Sequence, residues 1–269
     1  MNTEGKDNMH NYPSDISREE FEIIRTDLEK ATKVTKPRDI DLYEIFRGIL
    51  YLVKGGIQWR MMPSDLPHWS AVRYYYDIWA KKREGGASLL SAILRKLVTM
   101  VRNDDLRKDK TTMGIIDAQS VQNADTAEEK GYDAGKKVSG IKRHITVDTN
   151  GLPHAIIVTK ADVTDRDGAI EMIGLNLDNL SSVEKFLVDG GYSGENFANA
   201  VKKICGAEVE VVKRNELHKF VVLPKRWVVE RTFGWLDKAR RLWKNCERKL
   251  HNSLQMVVLA LIAVLIKRF

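Results

Sequence analysis

The chain has 269 residues, 43% of them hydrophobic and 30% charged, a balance that suits a globular protein with a sizeable core and excludes a low-complexity or fibrous chain. Its two cysteines, Cys205 and Cys246, form no Cys-x-x-Cys pair, which argues against structural zinc and a disulfide framework. The formal net charge of +7 is concentrated: residues 213–249 hold twelve Lys and Arg against four Asp and Glu, interleaved with Trp and Phe, and this placement points to a phosphate-backbone partner.

Residues 1–13 are polar and of mixed charge, with no apolar leader, and are expected to be a disordered tail on a cytoplasmic, nucleoid-associated protein. Ser14 or Ser17 can cap a first helix carrying Phe21, Ile24 and Leu28, and Glu20 completes a capping box with Ser17. After a turn at Lys36-Pro37, a second helix is predicted from about Asp39 to Lys54, with Leu42, Ile45, Phe46, Ile49 and Leu50 on one stripe and a stop at Gly55-Gly56. Trp69, Val72, Tyr76 and Trp79 then recur at helical spacing, leaving Arg73, Tyr74, Asp77 and Lys81 exposed. A further helix around Ser88 to Val101 completes an all-helical region, 14–101. It reads either as a helix-turn-helix DNA reader using Arg73 and Lys81 or as a plain helical packing module.

Periodicity changes after the polar stretch Arg102 to Lys110. Strands are predicted at Thr112–Ile116, Ile141–Val147, about His154–Thr159, Lys185–Val188 and Glu208–Val212, with helices near Ala169–Leu175 and Glu195–Ile204. Asn150-Gly151 between two β-rich runs signals a hairpin. Lys136, Lys137, Lys142, Arg143 and His144 form a second basic cluster there, which could touch DNA or be a solvated sheet edge. A basic helix follows from Pro224, with Arg226, Glu230, Gly234, Asp237, Arg241, Lys244 and Arg248 on one wet face and Val228, Trp235, Ala239 and Leu242 on another. Met256 to Ile266 is too short to span a bilayer and reads as a buried terminal helix.

Three acids stand out. Asp117 and Asp189 each end a buried strand, where α/β sheets place their sites, and Glu230 is embedded in the cationic helix. Individually each has an ordinary explanation: a strand-end Asp as a turn or cap, and Glu230 as an i to i+4 partner of Arg226. Together they form an oxygen-only set suited to Mg²⁺ or Mn²⁺, and paired ions can serve both oxygens of a phosphoryl transfer. Without Gly-x-x-x-x-Gly-Lys-Ser/Thr anywhere, Gly190-Gly191-Tyr192-Ser193-Gly194 makes no P-loop.

Three segments carry a resemblance: Ile116-Asp117-Ala118-Gln119-Ser120-Val121, Val188-Asp189-Gly190-Gly191-Tyr192, and Trp227-Val228-Val229-Glu230-Arg231-Thr232-Phe233-Gly234-Trp235-Leu236. Over nearly its whole length the chain resembles bacterial insertion-sequence transposases of the DDE type, in the insertion sequence four/five superfamily. That resemblance implies an α/β fold: an RNase H-like catalytic domain, a mixed sheet flanked by helices, over 111–269, behind an all-helical N-terminal DNA-binding domain. It implies Asp117, Asp189 and Glu230 as ligands of Mg²⁺ or Mn²⁺, two ions per site. Cleavage at element ends and attack of the 3′-hydroxyl on target DNA would follow, on double-stranded terminal inverted repeats and in a homodimer or larger assembly. The family arginine four residues before the glutamate is Arg226. The lysine seven after it is replaced by Asp237, with Lys238 next, and Leu223 stands where a tyrosine is expected. Further DNA contacts are expected from Arg231, Lys238, Arg241, Lys142, Arg143, Arg73 and Lys81. The competing readings are a structure-specific nuclease without strand transfer and a non-catalytic DNA-binding repressor.

Overall fold

The computed structural model of the chain describes residues 12–31, 40–84, 86–212 and 226–269. The turn at Lys36-Pro37, the Asp39 helix start, Leu223 and Pro224 lie outside the described residues, as do residues 1–11 of the tail. The first helix, α1 (Arg18–Glu29), starts as its sequence dictates: Glu20 N–H donates to Ser17 Oγ at 3.0 Å and Ser17 N–H donates back to Glu20 Oε2 at 2.6 Å. Asp41 caps α2 (Leu42–Gly55), and Gly56, at φ 71°, closes it in the left-handed conformation a Cβ would oppose. The helices α3 (Trp69–Ala80) and α4 (Leu89–Asp104) follow, the latter capped by Ser88.

The sheet contains β1 (Met113–Gln122), β2 (Gly131–Asp133), β3 (Val138–Val147), β4 (Pro153–Lys160), β5 (Lys185–Val188) and β6 (Glu208–Val211). Its order is β2-β3-β1-β5-β6, with β4 also on β3. The β1–β5 and β5–β6 pairs are parallel and the others antiparallel, so the sheet is mixed. The predicted hairpin is present: Asp148 and Leu152 pair across the turn, and Gly151 takes φ 79°. The first strand outruns its apolar run by six residues, because Asp117 to Gln122 continue the ladder to β3, with Asp117, Gln119, Ser120 and Gln122 breaking the apolar pattern. The three-residue strand β2 is too short to show a period in sequence.

Between and after the strands lie α5 (Asp165–Leu175), α6 (Leu177–Leu180), α7 (Glu195–Cys205), α8 (Arg226–Asp237) and α9 (Leu250–Leu265). The basic helix is shorter than its charge spacing suggests. It stops at Asp237, Ala239 is extended, and Asn245 instead bridges Asn123, so Lys244 and Arg248 do not continue the face of Glu230. With its 3₁₀ extension to Arg268, α9 is long and apolar enough to cross a membrane, but 61% of it is buried, against α2, α4, α8 and β4.

Strand alternation divides the interior into two layers. Ile115, Ile145, Val147 and Leu187 face a core shared by α1 to α4, α8 and α9; Ile116, Phe186 and Val188 face a second core with Ala169, Met172, Phe197 and Val201 from α5 and α7. The N-terminal helices therefore continue the interior of the sheet layer across the polar stretch at 102–110. Arg102 of α4 ties the two regions further, through a buried ion pair with Asp148 and hydrogen bonds to the carbonyls of Lys108 and Lys110.

Candidate active site

The parallel register of β1 and β5 pairs Met113 with Lys185, Gly114 with Phe186 and Ile115 with Leu187. Extending it two residues sets Asp117 beside Asp189. By alternation both share the side of Ile115 and Leu187, the side covered by α8. The close approach of the two strands needs Gly114, where a Cβ would lie 2.7 Å from the Phe186 ring. Asp117 and Asp189 line a small cleft with Ile115, Ile116, Leu187, Val188, Val212 and Val229, and Val229 brings the adjoining Glu230 of α8 to this end of the sheet.

Both aspartates are half-buried and Glu230 is exposed. Asp189 accepts from Gly191 N–H at 2.9 Å, which caps a one-turn 3₁₀ helix through Gly190-Gly191-Tyr192. Asp117 accepts from Ala118 N–H at 2.7 Å. Tyr192 is buried beneath them; burial, and then the charges of Asp117, Asp165 and Asp189, push its phenol far above the ordinary value. Asp165, which opens α5, is thus a fourth carboxylate near the strand ends. It pairs with Lys142 at 2.8 Å and Lys136 at 3.5 Å. The sequence reading placed Tyr192 in the segment after Asp189 but gave neither it nor Asp165 a part in the site, because no periodic pattern ties either residue to the acids.

Among the described residues, no three His, Cys, Asp or Glu side chains are grouped closely enough to hold a metal ion. The donor chemistry nevertheless fits a hard divalent cation, since the two register-matched aspartates and the adjoining glutamate offer oxygen alone.

The basic residues divide into two sets. Lys142 and Arg143, expected on a solvated edge, are buried, because β3 is an interior strand between β1 and β4 with α5 and α8 on its two faces. Lys142 pairs with Asp133 and Asp165, and Arg143 donates to the Leu242 carbonyl at 2.7 Å and to Gln119 at 3.2 Å. Burial lowers Arg143 to about 10 and His144 to about 4. Lys142 and Arg143 were both expected to contact DNA; in this structure both side chains are buried, Lys142 against two carboxylates and Arg143 against a carbonyl and an amide oxygen. Arg241 is similarly engaged, with Glu247 at 2.7 Å and the Ile57 carbonyl at 2.8 Å. Arg73 is half-buried over Trp59 and paired with Asp77. Lys81 and Lys238 are exposed, and Lys238 borders an apolar cleft with Lys54 and Lys267. Arg231 stacks between Trp227 at 4.8 Å and Trp235 at 5.5 Å and donates to the Asn150 carbonyl. The backbone of Arg226 opens α8.

Asp117, expected to end its strand, lies inside β1 instead, because the ladder to β3 runs on to Gln122, while Asp189 directly follows β5. A mixed sheet flanked by helices, with these two aspartates on adjacent strands and a helix-borne glutamate nearby, is consistent with the RNase H-like class. Residues 108–265 match the family model described as "Transposase DDE domain", and residues 16–84 match "Putative transposase of IS4/5 family (DUF4096)". The chain belongs to the IS4/IS5 family of DDE transposases. It is also 36% identical, over 117 residues, to a protein of Burkholderia cepacia described as "Putative transposase for insertion sequence element IS402". That match covers 41% of this chain and 55% of the relative, so the chain spans about half the length of the curated relative it matches.

Proposed function

We propose that the chain is the transposase of an insertion sequence, hydrolysing DNA at the element's terminal inverted repeats and joining the released 3′-hydroxyl to target DNA. What supports this reading is the cleft that Asp117 and Asp189 share with Val229, the neighbour of Glu230 on α8, beside the parallel β1–β5 register whose extension would pair the two aspartates. In this reading Asp117, Asp189 and Glu230 hold two Mg²⁺ or Mn²⁺ ions. When bound, such ions stabilise the attacking and leaving oxygens of an in-line displacement.

The protein's own part is positional. The 3₁₀ turn after Asp189 fixes its carboxylate through Gly191 N–H, and buried Tyr192 anchors that turn in the second core against Phe197. Arg226, one helical turn before Glu230, and Arg231 and Lys238 beyond it supply cations for the DNA backbone, with Lys81 and Arg73 as contacts from the helical region. Two element ends must meet in one reaction, which calls for a homodimer or larger assembly on DNA. The protein would work in the cytoplasm, on the nucleoid.

The test is an Mg²⁺-dependent cleavage and strand-transfer assay on DNA bearing the inverted repeats that flank the gene. Cut and joined products from the wild type, lost in Glu230→Gln while DNA binding is kept, support the transposase. Cutting without joining makes the protein a nuclease, binding without cutting makes it a repressor, and normal cleavage by Glu230→Gln removes the three-acid assignment.

A further inference from the structure

The basic cluster on the β2–β3 hairpin is split by its fold. Lys142, Arg143 and His144 turn inward, whereas Lys136 and Lys137, in the four-residue turn, remain exposed. The turn sends these two in different directions. Lys136 Nζ donates to the Ala118 carbonyl at 3.1 Å, next to Asp117. Lys137 instead lines an open polar groove of about 440 Å³, with Lys130, Tyr132, Gln122, Asn123 and Ser139 among its other walls.

We propose that this groove is a second DNA site, which holds a nucleotide of the strand leading away from the scissile phosphate. Lys130 and Lys137 pair with its backbone, and its base lies against Tyr132. The inference rests on the transposase reading for its substrate, but its evidence is separate. The volume falls within the range of small-ligand sites. The groove's amide and hydroxyl groups come from Gln122, Asn123 and Ser139, and the Tyr132 ring is 57% exposed, so the walls offer hydrogen bonds, cations and one stacking face together. Lys137 keeps a left-handed φ of 55° without being glycine, a conformation that costs energy for a residue with a Cβ.

Placement fits the same strand. Gln122 and Asp117 lie on one β-strand, about 17 Å apart at 3.4 Å per residue, which is roughly five phosphates along B-form DNA. The end of the chain's most basic segment also reaches the groove's wall: Asn245, which follows exposed Lys244 in the chain, bridges Asn123 and donates its N–H to the Gln122 carbonyl. One acid, Asp125, is in the wall, and Glu128 nearby is 3.5 Å from Arg248.

The experiment uses the full chain and a duplex ending in the flanking inverted repeat, with Ca²⁺ replacing Mg²⁺ so that binding is read without cutting. Affinity is measured against KCl for wild type, Lys130→Gln and Lys130→Gln/Lys137→Gln, with circular dichroism confirming the fold. In parallel, 5-iododeoxyuridine is placed at successive positions from the cut and its photo-crosslinks are mapped. The expected result is a slope of log affinity against log salt that falls by about one in the single variant and about two in the double, with Tyr132 crosslinked about five nucleotides from the cut. Unchanged slopes, or crosslinks that bypass Tyr132, overturn the site. A wild type that binds but never cuts in Mg²⁺ refutes the transposase reading and leaves the slopes to judge the groove; normal cutting with unchanged slopes does the reverse.

Discussion

Asp117, Asp148 and Asp189 each follow an apolar strand run in this sheet, and comparing Asp148 with the other two shows why position alone does not assign a role. Asp148, after β3, is fully buried and saturated: Arg102 pairs with it, Arg107 lies at 3.4 Å, His154 at 3.6 Å, and the N–H groups of Asn150 and Leu152 donate to it. Burial alone would raise its pKa, but His154 and these backbone donors prevail and hold it at about 2. Asp117 and Asp189 are half-buried at a cleft instead, where Asp117 accepts from the Ala118 N–H and Asp189 from the Gly191 N–H. The first acid is surrounded by its counter-charges and joins two parts of the core; the other two keep part of their surface at a cleft beside Val229 of α8.

The sharpest way to break this comparison is to neutralise each acid. Asp117→Asn and Asp189→Asn are expected to lose DNA cleavage to background while unfolding stability stays within about 0.5 kcal/mol; a comparable loss of stability would make them structural like Asp148. Asp148→Ala should do the opposite and cost about 3–5 kcal/mol in urea denaturation, because it strands the Arg102 guanidinium in the core.

Acid titration separates Asp148 from the buried His144 by pH. The folded carboxyl of Asp148 sits at about 2 against about 3.9 unfolded, so its contribution of roughly 2–3 kcal/mol is present above about pH 4 and lost as pH falls toward 2. His144, at about 4 in the fold against about 6.5 unfolded, removes stability earlier, between about pH 6.5 and 4, since the unfolded chain takes up the proton first. The urea midpoint of the wild type should therefore fall through both windows, and Asp148→Asn should flatten only the lower one. The smallest effect is expected at Gly114→Ala, about 1–3 kcal/mol of overpacking against Phe186. It should also lower cleavage by disturbing the β1–β5 register; a variant with full activity would show that the register tolerates the shift.

Much of this was legible along the chain. The Ser17–Glu20 box, the Gly56 stop and the Asn150-Gly151 turn act within a few residues, and local physics settles them. The candidate acids Asp117 and Asp189 stand out along the chain as well, because a carboxylate following Ile115-Ile116 or Leu187-Val188 interrupts an apolar run. The constant offset between Asp117 and Asp189 becomes meaningful only once β1 and β5 are known to be parallel neighbours.

What the sequence determined by itself was element type, charge placement and the family the motifs belong to, all carried by local pattern. The tertiary structure decided which charges remain available. Lys142 and Arg143 look identical to Lys136 and Lys137 in sequence, yet the covered faces of β3 bury the first pair and the hairpin turn exposes the second. It also decided that Asp165 and Tyr192 join the strand ends, and that α1 to α4 share a core with α9. Burial and long-range pairing depend on what packs against a residue from far along the chain, and neither has a local period to read.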